Sequence, residues 1–187
     1  MAAASEAELV SQCLAGSDEA FRDLIDRYKN VVFGVISQVI SDRSRVDDLA
    51  QEVFLKVHRG LPSFRADAKL STWIYRIVRN VCSESFARER ANSSLDELNE
   101  DGQPRYEPAV FDRAFSDLER RDFLEKAIAR LPVDQRFLIS AHYFGGVPYQ
   151  ELSEIVDAPM GTVKAQLHRA RQRLREIMMD EVRSSEF

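Results

Sequence analysis

GVPYQELSEIVDAPMGTVKAQLHRARQRLREIMM, residues Gly146 to Met179, decides the fold, because it holds two helical patterns, a tight corner between them and a cationic face with little use in a core. Pro148 suits the first turn of the opening helix, where its missing N–H needs no partner, and Leu152, Ile155 and Val156 form one apolar face. Asp157-Ala158-Pro159 ends that helix, since the residue before a proline is pushed out of the α region. A second helix is expected to start near Gly161-Thr162, with Thr162 capping its free N–H groups, and to carry Val163, Leu167, Ala170, Leu174 and Ile177 on one core stripe. The pair reads as a helix-turn-helix.

Opposite that stripe lie Ala165, His168, Arg169 and Gln172, flanked by Lys164, Arg171, Arg173 and Arg175. A helix-turn-helix puts the first residues of its second helix into the major groove and leaves later cations near phosphates. Lys164, Ala165, His168 and Arg169 are therefore assigned to base edges, and Arg171, Arg173 and Arg175 to the backbone. A lone charge run usually means only a solvated face, but the preceding helix and its proline-containing corner argue for the functional reading.

Outward from this stretch, the whole chain of 187 residues is 44% hydrophobic and 30% charged, ordinary for a soluble protein of one or two domains. No apolar run approaches the roughly 18 to 20 residues a membrane span needs, and MAAASEAELV lacks a basic region and apolar core, so neither membrane insertion nor a secretory signal is expected. Cys13 and Cys82 have no CxxC or histidine partner spacing and are expected to be reduced core residues, which fits a cytoplasmic location. The formal charge of −5 is awkward for a nucleic-acid binder, since cations that displace counterions carry much of that affinity. Its distribution resolves the conflict: acids dominate Ser94 to Glu125, whereas Phe64 to Arg90 and Lys164 to Arg175 run positive. Such a chain should bind duplex weakly alone and gain from a larger partner that already holds DNA.

Before the helix-turn-helix the apolar periodicity is helical almost throughout. Glu8 to Ala15 is a short helix, Gly16 stops it, and Ser17 caps a long one that carries Phe21, Leu24, Ile25, Tyr28, Val32, Val35, Ile36, Val39 and Ile40. The β-branched cluster from Val31 to Ile40 leaves some strand ambiguity, but about 20 residues without turn chemistry are too long for a usual strand. After Ser41-Asp42 another helix runs to about Arg59, with Val46, Leu49, Ala50, Val53, Phe54 and Val57 inward and Asp47, Asp48, Gln51, Glu52, Leu55 and Lys56 outward. Leu55 exposed among these polar groups points to a protein contact.

Pro62 to Leu70 is a loop, and the helix from Ser71 to about Arg90 turns Ile74, Ile77, Val78 and Val81 inward, with Arg76, Arg79, Asn80 and Ser83 opposite. Aromatics beside cations and small polar groups suit single-stranded nucleic acid, with Tyr75 the expected exposed ring and Trp73 in the core. Periodicity disappears from Asn92 to Phe111, where a flexible acidic linker is expected. A helix from about Asp112 to Leu131 and one opened by Pro132 then lead to Gly145-Gly146. The expectation is an all-α protein of two small helical domains, 1–91 and 112–187, joined by the linker 92–111. His58, His142 and His168 are isolated, and no catalytic triad, metal-ligand pair or GxxxxGK[ST] string is present in the sequence, so no enzyme, cofactor or metal is expected.

Taken together, DDLAQEVFLKVHRGLPSF (Asp47 to Phe64), LSTWIYRIVRN (Leu70 to Asn80), LPVDQRFLISAHYFGGVPYQELSEIV (Leu131 to Val156) and PMGTVKAQLHRARQRLRE (Pro159 to Glu176) resemble the bacterial RNA polymerase sigma factors of the extracytoplasmic function (ECF) group, with domains sigma-2 and sigma-4. The resemblance covers nearly the whole chain. It implies that Asp48, Gln51, Glu52 and Leu55 bind the polymerase β′ clamp helices, and that Phe64, Arg65, Lys69, Ser71, Thr72, Arg76 and Asn80 capture the melted minus-10 strand with a base flipped into a pocket. It further implies that Thr162, Lys164, Ala165, His168, Arg169, Arg171 and Arg173 serve the duplex minus-35 element. Ala165 stands where Ser or Arg is common; its methyl can touch a thymine but donates no hydrogen bond. The implied partners are core RNA polymerase, through the β′ clamp helices and the β subunit, promoter DNA and, as a further candidate, an anti-sigma factor; the free chain is expected to be monomeric. A stand-alone helix-turn-helix regulator is the alternative, but it leaves Phe64 to Asn80 unexplained and would usually need a dimer.

Overall fold

In a computed structural model the described residues are 5–65, 68–93 and 117–184, and they form α-helices, short 3-10 turns and one π turn, with no strand among them. The helices are α1 (Glu6–Leu14), α2 (Asp18–Val39), α3 (Val46–Gly60), α4 (Leu70–Ser93), α5 (Asp117–Ala129), α6 (Val133–Ile139), α7 (Tyr149–Val156) and α8 (Met160–Ser184). The all-α expectation holds. Most of the expected linker lies outside the described residues, while Asn92 and Ser93 close α4.

Local chemistry sets several of these ends. Ser5 and Glu8 form a reciprocal capping box at α1. The Ser5 N–H and the Ser5 hydroxyl both donate to the Glu8 carboxylate and hold it below its ordinary value. Ser17 caps α2 by accepting from the Ala20 N–H at 3.2 Å. The β-branched run stays helical to Val39 because its buried residues, Val32, Val35, Ile36 and Val39, lie at i, i+3, i+4 and i+7, one face of a helix. Ile40 then turns extended.

Expected core positions of α2, α3 and α4 are buried: Leu24, Val32 and Ile36 on α2; Ala50, Val53 and Val57 on α3; Ile74, Val78 and Val81 on α4. Cys82 is buried and Cys13 half-buried, both free thiols, and burial pushes the Cys82 thiol up to about 12. In the second half Ile128, Leu131, Phe137, Leu138, Leu152, Ile155, Val163 and Leu167 fill the space between α5, α6, α7 and α8.

The two halves share one continuous apolar cluster, with α5 and α6 against α2, and α6 and α7 against α4. Arg136 of α6 sits in this seam at 4% exposure. Its Nε donates to the Leu131 carbonyl at 2.6 Å and its Nη1 to the Val39 carbonyl of the first half at 3.0 Å and to Ser41 Oγ at 3.3 Å, while the guanidinium lies 4.9 Å from the Phe86 ring centroid. Burial lowers its pKa to about 10, so the group remains a cation at neutral pH and needs these acceptors.

Arg136→Met would keep an unbranched apolar stem, though a shorter one, and strand the Leu131 and Val39 carbonyls in the seam. Urea unfolding should show a loss of about 2–4 kcal/mol, since each buried unpaired acceptor costs about 1–3 kcal/mol.

Candidate nucleic-acid interface

Three surfaces carry the residues singled out in the sequence. On α3, Asp48, Gln51 and Leu55 are exposed, Leu55 at 49%. Glu52 is less free: Arg88 of α4 donates to it at 3.2 Å and Lys56 lies 3.4 Å away. The amphipathic pattern that buries Val53 and Val57 places all four residues on the outer side of the bundle.

The second surface is the turn after α3 and the start of α4. Phe64 stacks obliquely on Trp73, ring centroids 5.2 Å apart, and Gly60 lies close under the indole. A small recess of about 220 Å³ opens there, lined by Ser63, Phe64, Arg65, Ala68, Trp73 and Arg76. Two aromatic rings and two guanidinium groups around one recess suit a stacked base with its phosphate nearby. Arg65, Lys69, Arg76 and Asn80 are exposed and Ser71 is half-buried. Thr72 is fully buried and is not presented to solvent.

Here the expectation for the aromatics is reversed. Tyr75 is only 4% exposed, because α4 is covered on that side by the second half, where a Cβ on Gly145 would come within 2.5 Å of the Tyr75 hydroxyl. That burial, with the Glu151 charge, raises the Tyr75 phenol above its ordinary value. Trp73 is the half-buried ring beside the recess. Helical periodicity within α4 cannot reveal what a distant segment lays over it.

The third surface is the helix-turn-helix. Asp157 takes the left-handed conformation at φ 51 and ends α7, the Ala158 N–H donates to the Ser153 carbonyl at 3.1 Å, and Ser153 Oγ donates to the Ala158 carbonyl at 2.6 Å. The corner is thus complete at Ala158, so α8 starts at Met160 and the Val163 N–H donates to the Pro159 carbonyl at 3.1 Å. This corrects Thr162, which lies within the first turn of α8 and does not precede it as a cap.

The stripe on α8 is as expected: Val163, Leu167 and Ala170 are buried, with Leu174 and Ile177 partly so. Thr162, Lys164, Ala165, His168, Arg169 and Arg171 are exposed on the outer side, and Arg173 is half-buried. Arg171 Nη2 is 3.5 Å from His168 Nδ1.

Tyr149 adds a contact the sequence did not flag. Lys164 Nζ lies 5.8 Å from the Tyr149 ring centroid, and that ring packs 4.6 Å from His142, whose Nδ1 donates to the Val147 carbonyl at 2.8 Å. A cation over an aromatic face restricts where Lys164 can point. Glu151 was also missed; its signal is its place one turn before Glu154 on the polar side of α7. No group of three or more His, Cys, Asp or Glu side chains among the described residues could hold a metal ion.

Comparison with known proteins shows which family the chain is similar to. The family model for sigma-70 region 2 matches residues 24–92, and that for sigma-70 region 4 matches residues 122–174. The chain is 29% identical over 178 residues to the ECF RNA polymerase sigma factor SigW of Bacillus subtilis, covering 91% of this chain and 95% of that one. It is 33% identical over 174 residues to the ECF RNA polymerase sigma-E factor of Haemophilus influenzae, covering 88% and 90%. Its fold is similar to that of the sigma factor RpoE of Bartonella quintana, solved with the anti-sigma factor NepR, with a TM-score of 0.67, 24% identity and coverage of 85% and 96%.

The single tryptophan of the chain reports on the recess. Gly60→Ala would bring a Cβ to 2.9 Å from the Trp73 ring, so the indole packed on Phe64 or the backbone beneath it must shift. A changed emission maximum and a stability loss of about 1 kcal/mol on urea titration are expected.

Proposed function

The chain belongs to the ECF group of the sigma-70 family, whose role is that of a sigma factor in transcription initiation, and from that premise we propose how its residues divide the work. The exposed face of α3, with Asp48, Gln51, Leu55 and part of Glu52, docks on core RNA polymerase at the β′ clamp helices. The start of α8 reads the minus-35 element as duplex: Lys164, Ala165, His168 and Arg169 meet base edges, Thr162 lies beside them, and Arg171 and Arg173 meet phosphates. Phe64, Arg65, Lys69, Ser71, Arg76 and Asn80, and Thr72 once α7 no longer covers it, take the melted minus-10 strand, with Trp73 added to that set because it forms a wall of the recess.

The observation that supports this division most is the placement of the two cation groups on different elements with different company. The α8 group sits on one continuous convex helix, the shape a major groove admits, whereas Arg65 and Arg76 border a recess walled by aromatic rings. Binding only the melted form of an element favours melting, because differential affinity shifts the equilibrium between closed and open DNA. The residues assigned here act by binding, and no bond chemistry is asked of them.

Core polymerase supplies the DNA affinity that a chain of net charge −5 lacks by itself. No described helix is long and apolar enough to cross a membrane, and the proposed place of work is the cytoplasm, where the polymerase is. An anti-sigma factor is proposed as a further partner on the strength of family membership. A stand-alone regulator leaves the match over residues 24–92 without a use.

Promoter-directed transcription and pull-down with purified core polymerase test the assignment. Asp48→Ala/Gln51→Ala should weaken core binding by about tenfold or more, as loss of interface anchors does. Lys164→Ala/Arg169→Ala should retain core binding but lose about 10- to 100-fold in discrimination at the minus-35 element, at about 1–3 kcal/mol per base contact. Equal promoter output from core polymerase with and without the chain would overturn the reading.

A further inference from the structure

Several residues assigned to the melted strand already have partners within the chain. Lys69 Nζ donates to Glu151 Oε1 at 2.5 Å, which raises the lysine above its ordinary value, and the buried Thr72 hydroxyl donates to Glu151 Oε2 at 3.5 Å. Arg76 Nη2 donates to the Glu154 carbonyl at 2.6 Å, and one turn on, Arg79 lies 3.6 Å from Asp134. Every donor is on α4 or the residue before it; every acceptor is on α6 or α7.

To a lysine, a guanidinium or a hydroxyl, a carboxylate oxygen offers what a phosphate oxygen offers. We propose that in the free chain α7 stands in for the non-template strand: Glu151 and the Glu154 carbonyl occupy Lys69, Thr72 and Arg76, so the strand-reading face of α4 is closed while the duplex-reading face of α8 stays open. This rests on the strand-reading role proposed above. The seam is completed by Gly145 over Tyr75 and by the hydrogen bonds of Arg136 to Val39 and Ser41. Meanwhile Lys164, His168 and Arg169 are exposed. The covering contacts are mostly at the rim, where single ion pairs are weak, so a partner that holds the two halves apart can displace them.

The test uses the full chain. Glu151→Lys sets a cation against Lys69, and Asp26→Lys makes the same charge change on α2, where Asp26 pairs with Lys29 three residues along the same helix. Glu151→Gln serves as a milder variant that adds no cation. The probe is a fluorescein-labelled pool of random single-stranded DNA of about twelve nucleotides, within the span such grooves track, followed by anisotropy at fixed salt.

Glu151→Lys should bind the pool about fivefold more tightly than Asp26→Lys does, and Glu151→Gln about twofold more tightly than the natural chain, the scale of one exposed pair. X-ray scattering should give the natural chain a radius of gyration near the ~16 Å of a compact body of its length, and a larger value for Glu151→Lys. Affinity for duplex should be equal in the two lysine variants, and adding Arg76→Ala to Glu151→Lys should abolish the gain. Equal single-strand binding by both lysine variants, with Glu151→Lys as compact as the natural chain, overturns the closure. Expansion of Glu151→Lys without tighter single-strand binding overturns the stand-in differently, by showing that the uncovered face does not take the strand. If the closure fails in the first way while Arg76→Ala still cripples transcription with core polymerase, the strand-reading role survives it.

Discussion

A guanidinium cannot be taken out of water without acceptors, and that constraint on Arg136 ties the second half of the chain to the first. Its acceptors come from both sides of the seam: the Leu131 carbonyl from its own half, the Val39 carbonyl and Ser41 hydroxyl from the other. Val39 is the last residue of α2, and Ile40 leaves the helix in an extended conformation, so the carbonyls at this end lack the full set of intrahelical donors. Arg136 supplies one of the missing donors. The helix end and the buried cation each solve the other's problem, and α6 is held against α2 as a result. The stacking of Phe86 on the same guanidinium brings α4 into the arrangement.

Much of this fold was legible because amphipathic helices advertise themselves. The inward residues of α3, and Val163, Leu167 and Ala170 of α8, could be read from spacing and are buried. Cap chemistry located Ser17 at the start of α2, since a hydroxyl facing free N–H groups is a local event. Thr162 misled for the same reason: two plausible hydroxyl and glycine signals lay just inside a helix whose true start was set by Asp157 in the left-handed region and by Pro159 after it. What spacing could not show was anything that depends on contact between the halves. Tyr75, Thr72 and Arg136 lie on helices whose polar sides look solvated in isolation, and each is buried because a segment far along the chain covers it. The pairing of Lys69 with Glu151 spans 82 residues and leaves no local trace.

The electrostatics of the seam differ in kind from those of Arg136. Lys69 and Arg76 are exposed, and water competes for them continuously. Pairs of this sort add little to stability, typically 0–1 kcal/mol each, but they decide which of two similar anionic surfaces a cationic face meets first. Removing such a contact should therefore change competition for the face far more than it changes unfolding. The opposite is expected of Arg136, whose acceptors are buried.

An open α8 and a covered α4 also order the events in time. A ligand whose binding-competent state is populated only to a fraction f binds with an apparent dissociation constant larger by 1/f. If the uncovered state makes up about a tenth of the free chain, single strands are disfavoured about tenfold, a factor that the weak duplex binding of the free chain does not carry. Binding to core polymerase that separates the halves removes that handicap, and by reciprocity a captured single strand strengthens polymerase binding by the same factor by which polymerase strengthens strand binding. In the proposed scheme, strand capture becomes strong only where polymerase and duplex contact are already in place, which is where melted DNA is useful. A face left permanently open would instead spend its cations on any single-stranded nucleic acid, because contacts to phosphate carry no sequence information.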